Sequence, residues 1–238
     1  MRPLSHRLLA EYLGSLLLAA LVIGSGIAAR SLSPHDIGLQ LLENAAATAV
    51  GLYAIILIFG PVSGAHFNPA VSLADAALGG LAWRDVPAYA AAQITGCVSG
   101  AVLANTIFDL APVSISTTDR ATLPHGLSEV VATAGLLLVI FSLVRTGRAT
   151  LAPAAVGAYI GAAYFFTSST SFANPAITIG RVFSDTFAGI APSSVPAYVL
   201  AQLIAVPLAV LLVRVLHPAP TTSGATVTDQ LDTEGQPR

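Results

Sequence analysis

A chain of 238 residues that is 55% hydrophobic, only 9% charged and nearly neutral (formal net charge −2) is far from a soluble domain, where about a quarter of residues carry charge. The mean hydropathy of +0.78 points to a lipid solvent, and the charge balance offers no basic surface for a nucleic acid. The single cysteine, Cys97, excludes a disulfide or a thiolate metal cluster within one chain.

In chain order, Arg2 and Arg7 precede an apolar run over 8–29, long enough to cross a ~30 Å hydrocarbon core. A cleaved leader ending near Ala28 and Ala29 is the other reading, but this run takes part in an internal repeat. Further candidate spans lie at 40–60, 86–108, 127–145, 150–167 and 195–216. Tyr12, Trp83 and Tyr89 near span ends read as interfacial anchors.

The chain is written twice. "VPAYAAAQITG" from Val86 returns as "VPAYVLAQLIA" from Val195, so Pro87, Tyr89 and Gln93 match Pro196, Tyr198 and Gln202. Gly96 and Gly100 match Ala205 and Ala209, small residues four apart that let helices approach closely in lipid; Gly157 and Gly161 form a similar pair. Glu11 aligns with Glu129. Three spans per half reverse the second half, giving an inverted repeat about an axis in the membrane plane. The expected organisation is a first repeat over 1–108, a connecting loop over 109–126, a second repeat over 127–216, and a disordered, Thr-, Pro- and acid-rich tail over 217–238. Arg2, Arg7, Arg84, Arg145, Arg148, Arg214 and Arg238 fall on one side, against Arg30, Arg120 and Arg181 on the other. The positive-inside rule then places both termini in the cytoplasm.

Two short phrases interrupt this pattern. "HFNPAVSLADA" and "FANPAITIGRV" each carry Asn-Pro-Ala, at Asn68-Pro69-Ala70 and Asn174-Pro175-Ala176. Asn is a favoured N-cap and Pro a favoured first helical residue. Each phrase therefore starts a helix, over about 69–78 and 175–184, which at 1.5 Å per residue covers half the hydrocarbon thickness. The inverted repeat brings the two N-termini together near the midplane. The fold class is thus an all-α membrane protein of six transmembrane helices plus two re-entrant half-helices. Irregular backbone at that depth, "GPVSGAHF" and "TSSTSFA", is tolerated only where protein buries it or a wet path runs past it. Loop carbonyls, Asn donors and two partly positive helix ends would pass a neutral hydrogen-bonding molecule and oppose a cation.

These features resemble the major intrinsic protein family, the aquaporins and aquaglyceroporins, over about 7–217. The resemblance implies a homotetramer with one pore per subunit, embedded in membrane lipid of a bacterial plasma membrane, carrying small neutral solutes and needing no cofactor or metal. It also implies an outer filter, whose Arg directly after the second Asn-Pro-Ala is here replaced by Ile177. Carrying the other filter positions over gives Thr48, Ala162 and Ser171, a small neutral filter wider than a water-selective one. Arg181, one helical turn beyond Ile177, is expected at the outer mouth as a displaced charge or a snorkelling residue paired with Asp185; Glu43, a turn outside Thr48, is expected near the same mouth or in solvent. "NPAITIGRVFSDTFAGIAP" is also similar to a bacterial branch associated with arsenical resistance, which implies As(OH)3 as a solute.

The remaining polar residues admit two readings. Glu11 and Glu129 are costly in a membrane and serve either as structural acceptors for the loops or as a proton relay in a secondary transporter. His66 either braces its loop or gates by protonation, and Cys97 reads as an apolar filler. Gln93 and Gln202 read as polar glue between helices. An intramembrane enzyme around His66 and Asp75 ranks last, since no nucleophile–base pair or phosphate-binding glycine loop is recognisable.

Overall fold

The computed structural model describes residues 2–218, so most of the expected tail lies outside the described residues. Eight α-helices follow in order: α1 (Leu4–Leu32), α2 (Ile37–Ser63), α3 (Pro69–Leu78), α4 (Val86–Ile107), α5 (Leu123–Arg145), α6 (Ala152–Phe166), α7 (Pro175–Gly180) and α8 (Val195–Leu216). Six of the helical segments are long and apolar enough to cross a bilayer, and α3 and α7 are the short insertions between them. The six spans alternate in direction. The face where α1 begins and α8 ends is called the near face below; the opposite one is the far face.

Helices α1, α2 and α5 run a few residues beyond the sequence expectation, while α4, α6 and α8 agree with it to within two residues at each end; caps carry α2 and α5 past the apolar stretch. Asp36 caps α2, its carboxylate accepting from the backbone N–H of Leu39 at 2.9 Å. Thr122 caps α5 by accepting from His125 N–H at 3.3 Å, with Pro124 in the first turn. The second half-helix is shorter than expected: the α-helix stops at Gly180, a 3-10 turn covers Arg181–Phe183, and Ser184 is extended. Asn105 of α4 explains the stop. Its amide donates to the Phe183 carbonyl at 2.9 Å and its Oδ1 accepts from Ser184 Oγ at 2.7 Å, drawing the chain off the helical path.

Helix pairing follows the repeat: α1 lies along α4, and α5 along α8, with α2 against α6 joining the halves. Gly96 and Gly100 set the first pairing. A Cβ on either glycine would collide with a backbone carbonyl of α1, that of Tyr12 or of Leu16. Their counterparts Ala205 and Ala209 are completely buried, in a cluster with Leu137 of α5. Apolar side chains such as Ile58, Leu123 and Leu211 stay exposed on the outside, as expected where lipid rather than water is the solvent.

Tyr89 departs from its expected role as an interfacial anchor. It is fully buried, donates to the Ser63 carbonyl at 3.1 Å, and lies beneath the Arg7 guanidinium, which pairs with Asp85 at 2.8 Å. Trp83 is 60% exposed and fits that role. The connection between the halves lies across the far face, where Ser116 donates to the Val182 carbonyl (2.8 Å) and Ala191 to the Thr118 carbonyl (2.7 Å).

Substituting Gly100 by Val is expected to force α1 and α4 apart and to lower unfolding stability by about 1–3 kcal/mol, the usual range for overpacking. Thermal unfolding of the purified protein in detergent, compared with Ala209→Gly at the counterpart contact, measures it.

Candidate functional site

The two Asn-Pro-Ala phrases form one cross-braced unit. Asn68 caps α3 by accepting from Ala70 N–H at 2.9 Å; Asn174 caps α7 by accepting from Ala176 N–H (2.9 Å) and Ile177 N–H (3.3 Å). Pro69 and Pro175 supply the first helical residue, where no N–H is required. Each Asn then reaches across to the other loop. Asn68 Nδ2 donates to the Ala173 carbonyl at 2.7 Å, and Asn174 Nδ2 donates to the Phe67 carbonyl at 2.8 Å. The half-helix N-termini therefore meet, as the sequence predicts.

The loops feeding them are backbone in an unusual conformation. Ala65 and Phe67 in the first, and Ser171 and Ala173 in the second, have positive φ near 50°, where a side-chain-bearing residue costs about 1–3 kcal/mol. Gly64 and Thr170 also have positive φ, so three residues of four are left-handed in each loop, and a buried carboxylate receives two adjacent N–H groups in each half. Glu11 accepts from His66 N–H (3.0 Å), Phe67 N–H (2.7 Å) and Ser63 Oγ (2.6 Å). Glu129 accepts from Phe172 N–H (2.9 Å) and Ala173 N–H (2.8 Å). Hydrogen bonds to a charged acceptor contribute about 1.5–3 kcal/mol each, enough to offset the strain. Gln93 and Gln202 fasten the carboxylates in turn: Gln93 Nε2 bridges Glu11 and Ser72 (2.7 and 3.0 Å), and Gln202 Nε2 bridges Glu129 and Thr178 (2.6 and 2.9 Å). Ser72 and Thr178, each four residues beyond its Asn, were not singled out from the sequence. Their matched place in the repeat is the signal that would have found them.

A cavity of about 670 Å³ runs past this unit. It opens on the near face beside the exposed residues Pro61, Val144 and Thr150, passes His66, Asn68 and Asn174, and reaches Thr48, Ser171, Ile177 and Arg181. One wall is apolar, from Val22, Leu52, Val156 and Ile160 among others; the opposite wall is the two loops. Asp75 is the single carboxylate among the lining residues described. Glu11 and Glu129 are fully buried away from the cavity.

Three expected positions are corrected. Ala162 is exposed on the outer surface of α6 and does not line the cavity; Ile160 and Tyr164 do. At 100° per residue a shift of two positions turns a side chain to the opposite side of the helix. Tyr164 instead meets Thr48, their hydroxyls 3.2 Å apart. Glu43 is also off the cavity, half-buried at the α1–α2 turn, where it accepts from Ser33 Oγ at 2.8 Å. Arg181 is neither at an exposed mouth nor paired with Asp185. It is 3% exposed, on the cavity wall, with its guanidinium carbon 3.4 Å from the centre of the Phe172 ring. The i, i+4 pair fails because the chain leaves the helix, and Asp185 accepts from Thr117 N–H at 2.9 Å instead. The cavity end therefore holds an arginine and a tyrosine beside Ile177. Ser171 Oγ, buried there, has no hydrogen-bond partner among the described residues.

His66 braces its own half-helix. Its Nδ1 lies 3.0 Å from Ser72 Oγ and its Nε2 3.5 Å from Asp75. Cys97 is fully buried on α4, with Sγ 3.6 Å from the Ser15 carbonyl. Among the described residues no group of three His, Cys, Asp or Glu side chains is placed to hold a metal ion.

The family model described as "Major intrinsic protein" matches residues 2–171. The chain belongs to the major intrinsic protein family. It is 46% identical over 217 residues to "Aquaglyceroporin AqpS" of Rhizobium meliloti (strain 1021), covering 91% of this chain and 92% of that protein. It is 34% identical over 188 residues to "Aquaporin NIP1-3" of Oryza sativa subsp. japonica, covering 74% of this chain and 63% of the rice protein. The X-ray structure of the aquaglyceroporin from Plasmodium falciparum superposes with a TM-score of 0.67 at 18% identity, over 90% of this chain and all of that one, a likeness of fold.

Replacing Glu129 by Gln leaves one oxygen to accept where two are used, so one buried N–H of the second loop loses its partner. Unfolding stability is expected to drop by about 1–3 kcal/mol, read as a lower melting temperature in detergent, with the same direction for Glu11→Gln.

Proposed function

We propose that the protein is a passive channel for small uncharged solutes: water, glycerol-sized polyols and trivalent arsenic as As(OH)3. The observation that carries this reading is the cavity running past the crossed Asn68 and Asn174, with a greasy wall facing a wall of loop backbone. A neutral molecule with hydroxyl groups can exchange hydration for loop carbonyls and Asn N–H groups on one side while its carbon or arsenic skeleton slides along the other. The name of the bacterial relative, aquaglyceroporin, points the same way. Within this reading Ile177, Ser171 and Thr48, with Tyr164 in the place first given to Ala162, form the selective end. The working form is a homotetramer in a bacterial plasma membrane with both termini in the cytoplasm.

A proton-coupled transporter is disfavoured by the same geometry. Glu11 and Glu129 bind backbone N–H groups and Gln amides with no exposure to the cavity, so neither is free to pick up and deliver a proton in a cycle.

In proteoliposomes, glycerol and As(III) flux is expected to scale with the solute gradient and to be indifferent to an imposed ΔpH. Accumulation against a gradient would establish the transporter instead, and passage of water alone would establish a water-selective pore. Ile177→Arg is expected to reduce glycerol and As(III) flux more than water flux in stopped-flow light scattering and uptake assays; an equal loss of all three would remove Ile177 from the selective end.

A further inference from the structure

Arg181 is buried without an acid. Among the described residues its Nε donates to the Ala188 carbonyl, its guanidinium is stacked on Phe172, and no carboxylate comes within ion-pair distance. Its two terminal nitrogens have no hydrogen-bond partner among the described residues, yet neither is sealed inside protein. Since the residue lines the cavity, the surface those nitrogens keep is the cavity's. A second guanidinium approaches the same ring. Arg120, on the connection between the halves, has its guanidinium carbon 5.5 Å from the centre of Phe172. It donates to the carbonyls of Gly189 (2.8 Å) and Phe187 (3.2 Å), and it too lacks an ion-pair partner among the described residues. Glu129 binds the backbone of Phe172 but pairs with neither arginine. Two positive charges without an ion-pair partner among the described residues are thus tied to successive carbonyls, 187, 188 and 189, and to one aromatic face. A flat guanidinium suits such a stack and stays charged in it.

We propose that Arg181 is the cation-excluding residue of this channel, pressed against the cavity by Phe172 and the Ala188 carbonyl, with Arg120 adding a second charge behind the same ring. The inference rests on the channel reading above. A fixed charge in a narrow, poorly hydrated passage acts on cations strongly and on neutral solutes only through hydrogen bonds. The residue directly after the second Asn-Pro-Ala, Ile177, need then carry no charge.

The test is the ratio of K⁺ leak to glycerol flux in vesicles holding the purified protein. Arg181→Gln is expected to raise that ratio about tenfold or more, because removing a nearby unit charge lifts the electrostatic barrier. Arg181→Lys, which keeps the charge and loses the flat stack, is expected to hold the ratio near that of the wild type. A ratio unchanged in Arg181→Gln overturns the proposal. So does an equal rise in Gln and Lys variants, which would make Arg181 a packing residue. If Arg181→Gln does not assemble, Arg181→Met against Arg181→Lys makes the same comparison. A wild-type protein that conducts no glycerol would instead remove the channel reading underneath.

Discussion

Backbone that turns in the middle of a membrane must bring its own hydrogen-bond partners, and here two buried carboxylates supply them. Glu11 and Glu129 each gather consecutive N–H groups from a loop in which three residues of four are left-handed. Without an acceptor those N–H groups would face hydrocarbon or packed protein, where an unmet donor is costly. The carboxylate also fixes which way the loop carbonyls point. With the N–H groups turned toward the helix bundle, the carbonyls are left for the cavity and for the opposite Asn. The glutamines behind the acids, and Ser72 and Thr178 behind the glutamines, extend this support to the half-helices themselves.

The cross-bonds between the halves follow from that arrangement. Phe67 and Ala173 present carbonyls to Asn174 and Asn68 because the residues on either side are pinned. Each Asn uses its oxygen on its own helix and one N–H on the other loop, which leaves one N–H per amide for whatever passes. The positioning problem is thus handled twice, by equivalent residues in opposite orientation, and the cavity runs along the joint.

Much of this was legible in the sequence, because repetition within one chain is a strong constraint. The spans, the two half-helix starts, the paired acids and the small-residue contacts at Gly96 and Gly100 all came from matching one half against the other. Tyr89, read as an interfacial anchor although the repeat pairs it with Tyr198, is buried like its counterpart; the other failures lay where the halves differ. Ala162 was carried over by spacing, but on a helix an error of two residues reverses the facing, and Tyr164 is the side chain that meets Thr48. The partnership of Arg181 with Asp185 assumed an unbroken helix, and Asn105, from a distant span, ends that helix early. The platform at Phe172 was hidden for a similar reason. It joins residues from the second loop, the turn after the half-helix and the connection between the repeats, and no local pattern links those three segments.

The crossed amides also bear on how such a chain matures. The Phe67 carbonyl and the Asn68 amide of the first half find their partners in residues made more than a hundred positions later. A ribosome that has delivered only the first three spans has delivered an unfinished centre. The turn before α3 can be threaded early, but it locks only when its mirror image arrives, so the centre of the pore closes while the second half inserts rather than being built up span by span.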